Sequence, residues 1–489
     1  MNFKAVFNTL SIILKYMSFL FAAPCICAVI LKEYNSIPSY LISAVLSFML
    51  HRLLKSSEKN NGADSLSKSE SLAAALFSWL IISFLSAVPY IFCGLHPVDA
   101  LFEAVSGITA AGGTILTDFS LYPKTMFFWR SFSQWLGGMG ILVLFTAVMP
   151  SFAAGRQIFY TETSGSSAGN KLTPRVRQTA AALWSVYAVL TLIEICLLSY
   201  AGMPFFDALC NSLSCLSGGG FSPQQDSIMH YASPKICWIM IIFMFLSGMN
   251  FALQYKVYIK HNLKALVKDD EFRLYLGLII VFTVLTALTL HAHHIYDINE
   301  AFEKACFQVV SMLTTAGFAS ADYNEWNTRA KLLLFMLMFT GASAGSASGG
   351  LKLIRAVFIF KYIKRRISQI YHPSGVYPIK INKVIVPENT VREIAAFVIF
   401  YYAVFAVTAA LMIYIEQDVL LGASSAAASL SNTGPAFGAA GPMGSFQGLH
   451  ELSKLICIFN MLAGRLELLP FLALLHPDFW TIKRKRTPC

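Results

Sequence analysis

Charge is what this sequence has least of. Asp, Glu, Lys and Arg make up 13% of its 489 residues, against about 25% in a typical soluble domain. Apolar residues make up 56%. A large soluble core would show shorter apolar runs, broken by polar faces. Here the apolar residues gather in runs long enough for a bilayer, which takes roughly 20 residues per helix. Ten such runs stand out, at about 9–31, 36–54, 71–94, 126–150, 176–202, 235–259, 274–292, 332–360, 393–415 and 453–476. Paired cysteines are missing too. The ten cysteines are scattered, several inside apolar runs (Cys25, Cys93, Cys196, Cys237, Cys457), so neither a zinc site nor a disulfide framework is indicated. No His-Glu zinc motif occurs, and Gly349-Gly350-Leu351-Lys352 lacks the Gly-Lys-Ser/Thr ending of a phosphate-binding loop. An enzyme is not indicated, and no covalently bound cofactor is expected.

Basic residues outnumber acidic ones, 37 to 26, for a formal net charge of +11. Their placement decides what the excess means. With the N-terminus taken as cytoplasmic, the inner segments are 1–15, 52–68, 156–177, 256–273, 352–392 and 483–489. These hold 28 of the 37 Lys and Arg residues. Such a bias orients a polytopic protein during insertion. A nucleic-acid surface would need the charges on one folded face, so the expected partner is the lipid bilayer and not nucleic acid.

Between the long runs lie four weakly apolar stretches of about 12 to 17 residues, beginning near Val98, Pro204, Ile298 and Leu420. Each is too short to span, and each ends in a glycine-bearing turn. The four turns are Thr109-Ala110-Ala111-Gly112-Gly113, Ser217-Gly218-Gly219-Gly220-Phe221, Thr314-Thr315-Ala316-Gly317-Phe318 and Asn432-Thr433-Gly434-Pro435. Gly112, Gly220, Gly317 and Gly434 follow one another at intervals of 108, 97 and 117 residues. Asp99 and Asp207, each opening an Asp-Ala-Leu, stand 13 residues before the first two glycines. Ser106, Ser214 and Ser311 stand six before the first three, and the fourth repeat has Ala428 there. Repetition of this kind sets the architecture: long helix, short half-helix, glycine turn, long helix. The expected fold is an all-α polytopic membrane protein with four such repeats around a pseudo-fourfold pore, at 71–155, 176–262, 272–368 and 390–480. An accessory two-helix hairpin at 1–60 stands outside them.

Non-helical backbone at membrane depth persists only where it is buried in protein or lines water. A half-helix followed by a glycine turn exposes carbonyl oxygens to such a pathway, and rings of those oxygens can replace the water shell of K⁺. Glycine tolerates φ > 0 and admits converging carbonyls without a side chain in the way. Each half-helix also aims its carboxyl end, with about half a negative charge, at the axis. A carrier with broken helices would show two matching halves, whereas this chain has four stretches of one polarity. Acidic residues such as Asp99, Glu103 and Asp207 fall on the outer side, where each reads as a solvated surface residue.

These residues resemble a known family. Phe102-Glu103-Ala104-Val105-Ser106-Gly107-Ile108-Thr109, Trp129-Arg130-Ser131 and Gln134-Trp135-Leu136-Gly137-Gly138-Met139-Gly140 are similar to the first repeat of TrkH-type potassium transport subunits, in the Trk/Ktr/HKT superfamily. Gly219-Gly220-Phe221-Ser222 and Thr314-Thr315-Ala316-Gly317-Phe318 resemble the second and third filters. Gly345-Ser346-Ala347-Ser348-Gly349-Gly350-Leu351-Lys352 resembles the family's glycine-rich break, and Ala463-Gly464-Arg465-Leu466-Glu467-Leu468 the close of its fourth repeat. The resemblance runs from about residue 70 to the C-terminus. It implies K⁺ as the transported ion, the four turns as the filter, a homodimer, and cytosolic nucleotide-binding regulatory subunits of the TrkA type. It also implies a bacterial cell (inner) membrane, with sodium conduction or cation-coupled symport as the alternative for the same fold. Two departures from the pattern stand out: Ala110 and Ala111 stand where threonines are usual, and Gly218 where a bulkier residue is common. A serine at the first filter glycine accompanies Na⁺ transport in plant relatives, so Gly112 favours K⁺.

The run 332–360 is too long for a plain span and carries Gly341, Gly345, Gly349 and Gly350 within ten residues. Two glycines already cost about 2 kcal/mol in a helix interior. The segment therefore either breaks or forms a close-packed small-residue helix face. The resemblance implies a break whose loop, with Ser346, acts as a gate under the filter. Arg465, inside the last run, reads as a positive charge set against that loop, or as an ion pair with Glu467.

Overall fold

In hydrocarbon every backbone N–H and C=O must find a partner inside the protein, and helices meet that demand locally. The computed structural model, which describes residues 3–55, 68–147, 173–258, 261–382 and 384–466, is accordingly almost all helix. Its one sheet among the described residues is a two-stranded antiparallel hairpin, with Lys380 opposite Ile385 and Ile381 opposite Val384.

Six helical runs among the described residues are long and apolar enough to cross a membrane: Phe3–Ile30, Tyr34–Leu54, Leu72–Phe92, Ala181–Tyr200, Asp270–Ala292 and Glu388–Glu416. One run expected to be a straight span is broken, and the run 332–360 breaks as the resemblance implied. The run 235–259 is a pair of helices, Pro234–Gly248 and Phe251–Tyr258, bent by 107°. Asn250 makes the break: its Oδ1 accepts from the backbone N–H of Ala252 and Leu253, starting a new helix where the old one would have continued. The run 332–360 divides into Thr328–Met338 and Leu353–Tyr371, with a loop between them. The end of the run 453–476, and Glu467 with it, lies outside the described residues.

Each expected half-helix is present, as Pro97–Ile108, Phe205–Ser217, Ile298–Leu313 and Val419–Ser431. Their outer ends are partly exposed. Their inner ends, residues 102–111, 210–219, 307–320 and 424–434, are buried on every side. That enclosure is what permits the irregular backbone after each of them. Two apolar clusters hold the half-helices in place. One joins Tyr187, Phe243, Tyr275 and Phe307 across the second and third repeats. The other joins Phe102, Trp129, Met412 and Met461 across the first and fourth. The N-terminal helices pack onto the first repeat: Phe21 and Trp129 have ring centroids 4.8 Å apart. The Glu33 carboxylate accepts from the backbone N–H of Lys124 and Thr125, capping the helix Lys124–Ala147.

Candidate ion-conducting site

All four half-helices end in the same backbone motif. Ala110, Gly218, Thr315 and Asn432 take the left-handed conformation, with φ of +51, +67, +56 and +56°. Their N–H groups bond three residues back, to the carbonyls of Gly107, Cys215, Met312 and Ser429. The next residue bonds five back at 2.9 Å in every case: Ala111 to Ser106, Gly219 to Ser214, Ala316 to Ser311 and Thr433 to Ala428. This two-bond Schellman closure usually has glycine or asparagine at its left-handed position. Ala110 and Thr315 depart from that preference, at a cost on the order of 1–3 kcal/mol each.

Two residues after each closure stands a glycine with positive φ again: +82° at Gly112, +76° at Gly220, +71° at Gly317 and +101° at Gly434. Each lies against the carbonyl that precedes the glycine of the next repeat. A Cβ on Gly112 would fall 2.1 Å from the Gly219 oxygen, and one on Gly220 would fall 2.2 Å from that of Ala316. On Gly317 it would fall 2.4 Å from that of Thr433, and on Gly434 3.0 Å from that of Ala111. The order runs first, second, third, fourth and back to first. Four segments separated by some hundred residues each therefore close into one ring, in which each glycine lies against the carbonyl of Ala111, Gly219, Ala316 or Thr433. At Gly112, Gly220 and Gly317 backbone oxygen already occupies the space a Cβ would take, and at Gly434 the fit is tight at a φ of +101°.

The other expected filter residues support this ring from behind. The hydroxyls of Thr109, Ser217 and Thr314 turn back onto their own helices, to the carbonyls of Val105, Ser214 and Val310. Ser106 donates to the Gly113 carbonyl at 2.6 Å, and Ser311 to that of Phe318 at 2.7 Å. Thr433 Oγ1 lies 2.5 Å from Ser431 Oγ. Immediately outside the ring is a cavity of about 50 Å³, lined by Gly112, Gly220, Phe221, Gly317, Pro435 and Arg130 among others.

Three carboxylates expected to be solvated at this mouth are instead buried or paired. Glu103 is not a solvated surface residue but fully buried. Its carboxylate meets Arg130 Nε at 2.7 Å and accepts from the Thr114 hydroxyl and the Ile115 N–H. Arg130 in turn donates to the Ser222 carbonyl and lies 4.0 Å from the centroid of the Phe221 ring, so one ion pair ties the exits of the first two turns together. Asp207 is also buried and accepts from Gln224 and Tyr231. Burial and that carboxylate push the Tyr231 phenol well above its usual range, which keeps it a donor. Asp99 pairs with Lys454 at 2.6 Å. The signal for Glu103 was there to be read: Glu103, Asn211, Gln308 and Ser425 all stand nine residues before a ring glycine. All four are polar and all four are buried.

Known proteins share this layout over nearly the whole chain. The TrkH family model, described as a cation transport protein, matches residues 36–479. The chain belongs to the TrkH family. The Trk system potassium uptake protein TrkH of Salmonella typhimurium is 37% identical over 424 residues, covering 85% of this chain and 86% of that protein. The Trk system potassium uptake protein TrkG of Escherichia coli is 32% identical, covering 94% of each. The crystal structure of the potassium transporter TrkH from Vibrio parahaemolyticus is similar at a TM-score of 0.89 and 30% identity, over 98% of this chain and 100% of that one.

As in the expectation for a TrkH member, the segment after Met338 is a loop packed beneath the ring. Gly349 N–H donates to Thr315 Oγ1 at 2.8 Å, and a Cβ on Gly349 would fall 2.4 Å from the Ser431 carbonyl. The loop is closed on itself between Gly341 and Leu351, and Ser346 donates to the Ser343 carbonyl. Gly345 accepts from Phe251 N–H, which attaches the loop to the broken span of the second repeat. Arg465 is 3% exposed; its guanidinium donates to the Ala347 carbonyl at 2.9 Å and reaches that of Gly137 at 3.4 Å. The charge therefore bears directly on the loop. Glu271 holds the loop from the other side, where Oε1 accepts from Ala344 N–H at 2.7 Å and Ile354 N–H at 2.9 Å. Its neighbours Asp269 and Asp270 bind Asn382 of the β-hairpin, and Asp270 also binds Lys361.

Proposed function

We propose that this chain takes up potassium across a bacterial cell membrane, through the ring formed by its four filter turns. The observation that carries the reading is the cyclic contact of Gly112, Gly220, Gly317 and Gly434 with the carbonyls of successive repeats. A cation entering the ring exchanges water oxygens for backbone oxygens. Four helix carboxyl ends facing inward add a favourable field for a positive charge. K⁺ is thus substrate and not a resident cofactor. The names of the Salmonella, Escherichia and Vibrio relatives, all potassium transport proteins, point to the same ion.

In this proposal the loop 341–350 is the gate, with Gly341, Gly345, Gly349 and Gly350 as its turns and Ser346 as its internal brace. Arg465 acts as both tether and electrostatic barrier beneath the filter. The protein works as a homodimer in the inner membrane with its N-terminus in the cytoplasm, regulated by cytosolic nucleotide-binding subunits of the TrkA type. The test is growth at low external K⁺ of a bacterium lacking its own uptake systems, with and without such a subunit. Rescue supports the reading. No rescue in either case, with normal amounts of protein in the membrane, contradicts it.

A further inference from the structure

The second filter strand differs from the other three in how it is held. Its sequence, Gly218-Gly219-Gly220, is the most permissive backbone of the four. The residue before the filter glycine carries a side chain in the other repeats (Ala111, Ala316, Thr433) but not at Gly219. The serine strut of the first and third repeats is missing too, as in the fourth, where Ala428 stands: Ser106 and Ser311 hold the carbonyl after their filter glycine, while the equivalent Ser214 hydroxyl has no partner.

A residue from the neighbouring repeat occupies that gap. Gln134, in the helix Lys124–Ala147, is completely buried. Its Nε2 donates to the Gly219 carbonyl at 2.7 Å, and its Oε1 accepts from the Phe221 N–H at 3.1 Å. Only this orientation of the amide satisfies both partners, so its assignment is fixed by the backbone it binds. The two bonds flank Gly220 as a neighbouring parallel strand would. A Cβ at Gly219 would fall 2.3 Å from Gln134 Cδ, so the amide fills the volume that alanine or threonine fills in the other repeats.

We propose that Gln134 is a positioning residue that sets the ion selectivity of the ring, by fixing the Gly219 carbonyl from outside its own repeat. A carbonyl oxygen has two lone pairs, so the bond from Nε2 leaves one for the ion while fixing the oxygen's direction. Among the described residues, no side chain donates to the carbonyls of Ala111, Ala316 or Thr433. The ring therefore has one braced ligand and three free ones, and its geometry depends on an amide in the first repeat.

The inference rests on the ring being the K⁺ pathway, and the wild-type protein in the same vesicles tests that premise separately. K⁺ and Na⁺ fluxes are measured in proteoliposomes for wild type, Gln134→Leu and Gln134→Glu, with thermal melting in detergent alongside. Gln134→Leu should lower K⁺-over-Na⁺ discrimination about tenfold, equal to about 1.4 kcal/mol, while K⁺ still passes. Gln134→Glu in its neutral form offers a donor and an acceptor at the same places, and should keep most of the discrimination. If Gln134→Leu does not reach the membrane, Gln134→Met fills the same space without a donor and carries the same expectation. A folded Leu or Met variant that discriminates like wild type overturns the proposal, even if its melting temperature falls. A Glu variant no better than the Leu variant also overturns it. Absence of K⁺ flux from wild type would instead remove the proposed function.

Discussion

Arg465→Ala should make the pore leak. The guanidinium makes one good bond to the loop 341–350, to Ala347 at 2.9 Å, and a longer one at 3.4 Å to Gly137. A hydrogen bond from a charged donor contributes about 1.5–3 kcal/mol. Counting only the shorter contact, its loss shifts the balance between loop in place and loop displaced by about 10- to 150-fold, at 1.4 kcal/mol per tenfold. Loss of the positive charge beneath the ring lowers the barrier to a cation further. The assay is ⁸⁶Rb⁺ or K⁺ efflux from proteoliposomes at fixed protein density, without any regulatory subunit. Flux should rise at least tenfold, and Arg465→Lys, which keeps the charge but loses the planar fork, should fall between the two. A properly folded Arg465→Ala protein with wild-type or lower flux would refute the gating account.

Three further predictions follow from the contacts around the ring. Gly317→Ser puts a Cβ 2.4 Å from the Thr433 carbonyl at a φ of +71°, so K⁺-over-Na⁺ discrimination should fall in the flux assay; unchanged discrimination would count against the ring. Glu103→Ala leaves Arg130 buried without its carboxylate, which should cost about 3–5 kcal/mol and lower the melting temperature in detergent. Replacing both partners with apolar residues should cost less, and an equal loss would contradict the pairing. Glu271→Ala strips the acceptor from Ala344 and Ile354, leaving two buried N–H groups unpaired at about 1–3 kcal/mol each. Basal flux should change by tenfold or more, whereas Glu271→Gln, which retains an acceptor, should stay near wild type.

What the sequence made legible was periodic or compositional. The apolar runs marked the membrane helices, and the spacing of Gly112, Gly220, Gly317 and Gly434 marked four equivalent turns whose contacts prove cyclic. Ser106 and Ser311, which share an offset from their filter glycines, turn out to hold the carbonyls of Gly113 and Phe318. What stayed hidden depended on contacts between distant segments. The burial of Glu103 was marked by its shared offset, but nothing local announces that Arg130, 27 residues on, lies beside it. The break at Asn250 was masked by apolar residues on both sides, since a capping side chain inside a hydrophobic run leaves hydropathy unchanged. Gln134 was visible only as part of a motif; its reach to Gly219, 85 residues away, follows from the packing of two repeats. Glu271 was one acidic residue in an inner segment, and its hold on the loop appears only once Ala344 and Ile354 are brought to it.

The most direct test of the central claim is to locate the ion. Crystals grown with Rb⁺ in place of K⁺ and measured at the rubidium absorption edge would show where the cation sits. An anomalous peak centred among the carbonyl oxygens of Ala111, Gly219, Ala316 and Thr433 is the predicted result. Rb⁺ bound elsewhere along the chain, with the ring empty, would contradict it.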